Sequence, residues 1–261
     1  MSAPLSLRSR YLTREPDRQA RIRLLCFHHA GGGASAYTGW QHGLGDDVAV
    51  VPVQLPGREG RIGEPRFQEM EALVDELTEE LDGVLDQPFA VYGHSMGALV
   101  AYNVVRRLFR TGRPLPEVLL VGAYPAPHRP PALGELPELP DDELTRVLLE
   151  LGGMSESILA YPEWLTAALD MVRDDLRVCR SHDRAFLPRL PFPIEVFSGR
   201  SDPLMQGVEP ERWLEHTRAG FRVHRLPGGH FFTRESTEEF LGLLKGSLDD
   251  ALGPVRRSTA S

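Results

Sequence analysis

The sequence predicts an α/β fold with a mostly parallel central sheet, flanked by helices and carrying a helical insertion. Short runs rich in β-branched and aromatic residues alternate with segments of helical periodicity, which is typical of βαβ units. Several of these runs are apolar almost throughout, as strands covered on both faces tend to be. The alternation stops between residues 126 and 190, which indicates an inserted segment. The six predicted strands are residues 22–27, 48–55, 89–92, 118–123, 194–197 and 221–226.

Two helices are predicted between the early strands. Apolar residues recur at helical spacing from Met70 to Leu81, with acidic residues on the opposite side. A second helix is predicted over residues 96–109, which are rich in alanine, valine and leucine, and it should end at Thr111 and Gly112. Both helices should cover the sheet.

Residues 126–190 are predicted to form the helical insertion. Six prolines crowd residues 125–140, which excludes a helix interior or a central strand there. Two helical patterns follow without a strand between them, the first capped by Asp141 and the second begun by Pro162. A mere pair of packing helices is the alternative. The aspartates of this segment are predicted to lie on solvated helix faces: Asp141, Asp142, Asp170, Asp174, Asp175 and Asp183.

The core is then predicted to comprise residues 1–125 and 191–261, with flexible ends at about 1–18 and 253–261. The chain has 261 residues and a net charge of −8, which is unlike a nucleic-acid-binding protein that must neutralise phosphates. No apolar run approaches the ~20 residues that span a bilayer, and the start lacks a secretory signal. We therefore predict a cytoplasmic protein that binds neither nucleic acid nor a membrane.

The strongest motif is GHSMG at residues 93–97, a GxSxG sequence between a predicted strand and a predicted helix. In that position the pattern is typical of a nucleophile elbow, where the glycines allow a tight turn that exposes the serine hydroxyl above the sheet. The N–H groups at the start of the helix favour the oxyanion of an acyl-transfer intermediate. Ser95 is the candidate nucleophile, and a tight structural turn is the alternative.

A serine hydroxyl needs a base and an acid that orients the base. His230 is the candidate base because it follows the last predicted strand through Pro227-Gly228-Gly229, whereas His94, next to Ser95, should point elsewhere. Asp202 is the candidate acid, since it lies just beyond the strand at 194–197, where α/β sheets gather their ligands. A turn or capping aspartate is the alternative for Asp202.

A second oxyanion donor could come from the glycine-rich loop at residues 28–34. The same loop carries a competing pattern, because Gly31, Gly33 and Ala36 satisfy the dinucleotide-binding GxGxxG/A sequence. No acidic residue ends the second strand, so this alternative is weaker. No metal-binding pattern occurs, and Cys26 and Cys179 are expected to be buried thiols. We therefore predict neither a cofactor nor a metal.

Taken together, five segments resemble the type II thioesterases, the stand-alone α/β-hydrolases that accompany polyketide and nonribosomal peptide synthases. They are FHHAGG at residues 27–32, LPGRE at 55–59, GHSMG at 93–97, GRSDP at 199–203 and GGHF at 228–231. His28 departs from the proline or small residue that is usual in that family. By position, the resemblance implies that Ala30 and Met96 provide the oxyanion N–H groups and that the insertion is a lid.

The resemblance also implies the substrate. The protein should hydrolyse acyl groups from the phosphopantetheine arm of an acyl or peptidyl carrier protein, which removes aberrant chains from a synthase. It should act as a monomer and need no cofactor of its own. Carrier proteins are usually acidic, so a local basic patch is expected at the entrance, formed by Arg129, Arg173, Arg177 or Arg184.

Three alternatives remain at this point. The protein could be an esterase or lipase that acts on free small molecules, a terminal thioesterase domain of a synthase, or a binding protein on a hydrolase scaffold. The last of these commonly lacks a triad member, whereas all three candidates are present here.

Overall fold

The computed structural model describes residues 9–130, 136–185 and 188–253. Within them lie six strands: β1 (Ile22–Phe27), β2 (Val48–Pro52), β3 (Phe89–His94), β4 (Leu119–Gly122), β5 (Ile194–Gly199) and β6 (Phe221–Leu226). They form one sheet in the order β2-β1-β3-β4-β5-β6, with every neighbouring pair parallel. The predicted sheet is confirmed.

The central strands are buried along their whole length, while the edge strand β6 is half exposed. This burial explains the continuous apolar runs, since a parallel sheet is covered on both faces. The helices are α1 (Trp40–Leu44), α2 (Met70–Glu80), α3 (Met96–Thr111), α4 (Asp141–Glu150), α5 (Pro162–Arg180), α6 (Phe232–Glu235) and α7 (Thr237–Leu252). Two hydrophobic clusters lie on opposite sides of the sheet, one with side chains of α2 and α3 and the other with side chains of α1 and α7.

The helix α7 was not among the sequence predictions. It buries Phe240, Leu244 and Leu248, which are spaced four residues apart and so lie on one face. Phe240 contacts the rings of Trp40 and Tyr92. The four-residue spacing of these apolar side chains is therefore a sequence signal for this helix.

The start of the described chain packs on the core. Tyr11 is fully buried and donates its hydroxyl hydrogen to Glu76 at 2.7 Å, and Leu12 pairs with Val53 in an isolated antiparallel bridge. Within residues 1–18, which are expected to be flexible, Tyr11 and Leu12 thus contact the core. Residues 1–8 and 254–261 of the two expected flexible ends lie outside the described residues.

Between β4 and β5 the described part of the insertion contains α4, α5 and two short 3₁₀ turns. Asp141 is the first residue of α4 rather than its cap, since Pro140 precedes it without a capping side chain, and Asp141 pairs with Arg173. The expectation that the aspartates are solvated is wrong for Asp174 and Asp175. Both are buried, because the C-terminal half of α5 packs against the core.

No helix in the described ranges combines the length and the apolar composition that crossing a bilayer requires.

Candidate active site

Ser95 lies at the tight turn between β3 and α3. Its φ of 54° and ψ of −120° place a non-glycine residue in a strained region of backbone space, as a nucleophile elbow requires. The flanking glycines permit the turn. A Cβ atom on Gly93 would lie 2.1 Å from the carbonyl oxygen of Gly97, and one on Gly97 would lie 1.9 Å from that of Phe27. Both positions therefore exclude a side chain.

The structure brings the three predicted residues together. The Nε2 atom of His230 lies 3.0 Å from Ser95 Oγ, and its Nδ1 atom lies 2.9 Å from Asp202 Oδ2. The three residues are at most 5% exposed. They follow β3, β5 and β6 at the same edge of the sheet, because the carboxyl ends of parallel strands share that edge.

Asp202 is fixed by the loop that carries it. Asp202 precedes a short 3₁₀ turn, and its other carboxylate oxygen accepts a hydrogen bond from the Leu204 N–H at 2.9 Å. The capping role that was the alternative for Asp202 is thus fulfilled by one oxygen while the other faces His230. Both functions coexist in one side chain.

His94 points away from Ser95, as the sequence predicted, and it supports the backbone of His230. Its Nε2 atom lies 2.9 Å from the His230 carbonyl oxygen, and the Tyr92 hydroxyl lies 3.0 Å from its Nδ1. A carbonyl oxygen only accepts, so Nε2 carries the proton and Nδ1 accepts from Tyr92. Burial lowers the pKa of His94 well below its usual 6.5, which keeps this arrangement neutral. Sequence reasoning did not find this support.

The glycine-rich loop lies beside Ser95 and is held from several sides. The Gly31 N–H donates to Asp175 of α5 at 2.8 Å, and the Ala34 N–H donates to Gln54 at 3.0 Å. Arg58 donates to the Gly32 carbonyl oxygen at 3.2 Å. Residues from the loop after β2 and from the insertion thus fix successive peptide groups.

The two N–H groups implied for the oxyanion lie near the serine. Ala30 lines the same cavity as Ser95 and His230. Met96 is the first residue of α3, so its N–H lacks a carbonyl acceptor one turn earlier. Among the described residues, no backbone or side-chain acceptor is found for the Ala30 N–H.

A small cavity above Ser95 is covered by the insertion. Its free volume is about 30 Å³, which is room for about one or two water molecules. An acyl chain therefore requires displacement of the side chains that cover it. Its apolar lining from the insertion comprises Leu136, Leu148, Leu151, Val172 and Leu176.

The alternative of a dinucleotide site is not supported by the loop geometry. The segment after the glycines is a four-residue 3₁₀ turn, Ala34–Tyr37, so no long helix directs its N-terminus at a pyrophosphate. The Glu59 carboxylate fills the space next to Gly33 and accepts from Ser35 at 2.6 Å. A carboxylate at that place repels a pyrophosphate.

Two of the four arginines expected at the entrance are engaged within the insertion. Arg173 donates to the carbonyl oxygens of Pro137 and Leu139, and Arg177 pairs with Asp174. Arg129 and Arg184 are exposed. The chain contains two buried free thiols, Cys26 and Cys179, as expected. In the described ranges, no three histidine, cysteine or acidic side chains are grouped as metal ligands.

Comparison with known proteins identifies the family. Residues 22–248 match the family model described as a thioesterase domain. The RedJ thioesterase of the prodiginine biosynthetic pathway in Streptomyces coelicolor is 38% identical, with a TM-score of 0.82 over 87% of this chain and 86% of that one. BorB, a type II thioesterase from the borrelidin biosynthetic cluster, is 35% identical, with a TM-score of 0.80 over 90% and 96%.

A third relative is named as an enzyme of another class, a dehydrogenase. The chain is 34% identical over 237 residues to LgrE of Brevibacillus parabrevis, named a linear gramicidin dehydrogenase, with 90% of each chain covered. The loop at residues 28–34 offers no dinucleotide site in this chain, as its geometry shows. The family model and the solved structures agree with the elbow at Ser95. The chain belongs to the thioesterase-domain family, and it is a thioester hydrolase with the α/β-hydrolase fold.

Proposed function

We propose that the protein is a type II thioesterase that removes acyl groups from the phosphopantetheine arm of acyl or peptidyl carrier proteins. One observation carries the proposal: the hydrogen-bonded series Ser95, His230 and Asp202 in a chain of the thioesterase-domain family. RedJ and BorB, which come from biosynthetic pathways of natural products, support the setting. The acyl groups would be aberrant ones that block a polyketide or nonribosomal peptide synthase.

The reaction proceeds in two halves. Ser95 Oγ attacks the thioester carbonyl carbon while its proton passes to His230 Nε2, and the carbon–sulfur bond then breaks as the thiol takes that proton. Water attacks the resulting ester on Ser95 while its proton passes to His230 Nε2. The bond between the carbonyl carbon and Oγ then breaks as His230 returns the proton to Oγ, and the free acid leaves. Asp202 accepts the hydrogen bond from His230 Nδ1–H and stabilises the imidazolium. Only side chains, backbone and water take part, so no cofactor is needed.

The negative charge on the carbonyl oxygen needs donors in place before the reaction. We assign that role to the N–H groups of Ala30 and Met96. The position of Ala30 in the lining of the Ser95 cavity supports the first assignment. The place of Met96 at the start of α3 supports the second, since the helix dipole also favours an anion there.

The insertion, residues 126–190, would serve as the lid. Its apolar side chains cover Ser95 and leave little free space, which would exclude bulk water. Only a substrate carried on a long flexible arm would then reach the serine. A net charge of −8 disfavours an acidic carrier, so exposed arginines such as Arg129 and Arg184 would offset the repulsion near the entrance. The protein would act as a monomer in the cytoplasm.

The test compares three substrates that carry one acyl group: an acyl-carrier protein, the matching acyl-coenzyme A and a simple ester. We expect the highest kcat/KM with the carrier protein. Equal values for all three would contradict the proposal and favour an esterase of free small molecules.

A fluorophosphonate labels the active serine independently of substrate. Mass mapping should place the label on Ser95, and Ser95→Ala should abolish it. Labelling elsewhere, or none, would reject the assignment of Ser95.

A further inference from the structure

The motif LPGRE at residues 55–59 has no part in the mechanism above, yet it lies against the loop that carries Ala30. Arg58 is 3% exposed, and its guanidinium faces the buried carboxylate of Asp175 from α5. The two groups form two parallel hydrogen bonds, Nη1 to Oδ2 at 2.7 Å and Nη2 to Oδ1 at 2.8 Å. Such a bidentate pair fixes orientation as well as distance.

Both partners of this pair also bind the loop. Asp175 Oδ2 accepts from the Gly31 N–H at 2.8 Å, and Arg58 Nη1 donates to the Gly32 carbonyl oxygen at 3.2 Å. The Arg58 Nε donates to the Pro56 carbonyl oxygen at 3.2 Å, which orients the guanidinium from its own loop. The pair therefore holds two peptide groups just after Ala30, the one between Ala30 and Gly31 and the one between Gly32 and Gly33.

Helix α5 packs closely on the loop at Gly31. Gly31 has a φ of +74°, and a Cβ atom there would lie 2.6 Å from Val172 Cγ2 of α5. A buried ion pair contributes little net stability, because desolvation offsets the attraction between the charges. Its value here is geometric: it defines the direction of the peptide groups beside Ser95.

We propose that Arg58 and Asp175 are positioning residues, which hold residues 30–32 so that the Ala30 N–H faces the oxyanion formed at Ser95. The proposal rests on the proposed function, since it concerns the acyl transfer at that serine. Asp175 belongs to the insertion and Arg58 to the core. The donor is therefore oriented only when α5 lies against the loop.

The neighbouring residue on α5 provides a matched control. Asp174 is also buried, and it also fastens α5 to the core, through Arg66 at 2.7 Å and Gln68 at 2.7 Å. Its hydrogen bonds go to side chains outside the glycine-rich loop. Loss of Asp174 therefore tests the anchoring of α5 to the core alone. Loss of Asp175 tests this anchoring together with the positioning of the Ala30 N–H.

The experiment compares Asp175→Asn with Asp174→Asn in the hydrolysis of an acyl-carrier protein. For Asp175→Asn we expect kcat and kcat/KM to fall together by about 10- to 100-fold, because a misplaced oxyanion donor weakens only the transition state. For Asp174→Asn we expect values within about threefold of the parent protein, since the hydrogen bonds of Asp174 go to Arg66, Gln68 and Arg177 and not to the loop that carries Ala30. Equal losses in the two variants, or a rise in KM alone for Asp175→Asn, would overturn the proposal.

A second variant distinguishes loss of positioning from loss of folding. Arg58→Lys keeps the positive charge, but a single ammonium cannot hold both Asp175 and the Gly32 carbonyl oxygen in the fork geometry. With native circular dichroism and a native unfolding transition, Arg58→Lys should show the same loss of kcat as Asp175→Asn. Full kcat in a folded Arg58→Lys protein would contradict the positioning role.

The rate of fluorophosphonate labelling separates the two proposals. Phosphonylation of Ser95 also develops an anionic oxygen at the same donors, and it requires no carrier protein. Slow labelling of Asp175→Asn with normal labelling of Asp174→Asn supports positioning even if the parent protein fails to hydrolyse carrier thioesters. Normal labelling of Asp175→Asn overturns the positioning role and leaves the proposed function intact.

Discussion

The floor and the roof of the cavity above Ser95 are built in different ways. The floor comes from loops at the end of a parallel sheet, and its three hydrogen-bonded residues are at most 5% exposed. The roof comes from the insertion, where α4 buries only Leu144 and Thr145. Three large apolar side chains of the roof are largely exposed: Leu159, Tyr161 and Trp164.

The difference lies in how each part is attached. Each floor residue follows a strand of the sheet, of which β3 and β5 are paired on both sides and β6 on one. By contrast, α5 is fixed by buried carboxylates near its C-terminal end. Among the described residues, no buried ion pair of this kind fixes the N-terminal end of α5, where Trp164 is 67% exposed. The proposed catalytic residues thus lie on loops of the sheet, and the proposed lid is anchored by the carboxylates near the C-terminal end of α5.

The largest expected effect tests the floor. Ser95→Ala or His230→Ala should lower kcat by about 10⁵- to 10⁶-fold, because loss of either residue disables the whole unit. Steady-state hydrolysis of an acyl-carrier protein measures the loss. A tenfold loss would show that the hydrogen bonds at 3.0 Å and 2.9 Å are structural, and that catalysis has another source.

The structure brings Ser95, Asp202 and His230 together as the sequence predicts, because the signals for the floor are local, and their catalytic roles stay a prediction. A GxSxG sequence needs only its own strand and helix to define the turn at Ser95, and parallel topology then brings Asp202 and His230 to the same edge. The support from His94 was missed because it depends on a carbonyl group 136 residues away. No spacing in the sequence encodes that contact.

The same reasoning failed for Asp174 and Asp175 in the roof. A pair of aspartates on an amphipathic helix resembles a solvated face, and their burial depends on where α5 meets Arg58 and Arg66. Those contacts span more than 100 residues of sequence, 117 between Arg58 and Asp175. A helical pattern predicts which side chains share one face of a helix, but it does not predict which residues that face contacts.

The second effect concerns the packing beneath the floor. Trp213 is fully buried, donates its indole N–H to the Tyr124 carbonyl oxygen at 3.0 Å and contacts Tyr102 edge to face. Trp213→Ala should reduce the free energy of unfolding by about 3–5 kcal/mol, through lost contacts and a cavity. Urea unfolding measures this loss, and a value below about 1 kcal/mol would show that the site has collapsed around the missing ring.

The third effect is a pH dependence of stability carried by His28. Burial, with a smaller contribution from the Arg58 charge, lowers the pKa of His28 from 6.5 to about 3. At acidic pH the unfolded chain binds a proton that the native state does not, so stability is lost as pH falls below 6.5. The loss attributable to His28 at about pH 5 is roughly 2 kcal/mol.

His28→Asn isolates this contribution. The asparagine amide can replace Nδ1–H in the hydrogen bond to the His29 carbonyl oxygen, at 2.9 Å in the parent protein, without titrating. Urea unfolding at about pH 7.5 and pH 5 should show a smaller loss for the variant than for the parent, by roughly 2 kcal/mol. Equal losses would mean that His28 is protonated in the native state.

The smallest effect tests the roof. Trp164 is 67% exposed and stacks on Tyr161, with ring centroids 5.0 Å apart. Trp164→Ala should change the free energy of unfolding by no more than about 0.5 kcal/mol, as is usual for surface positions. Thermal and urea unfolding beside Trp213→Ala give the direct contrast, since the same indole is removed from roof and floor. A loss at Trp164 of the size expected for Trp213 would show that the N-terminal end of α5 is held as firmly as the sheet, and the distinction between a fixed floor and a roof attached at one end would fail.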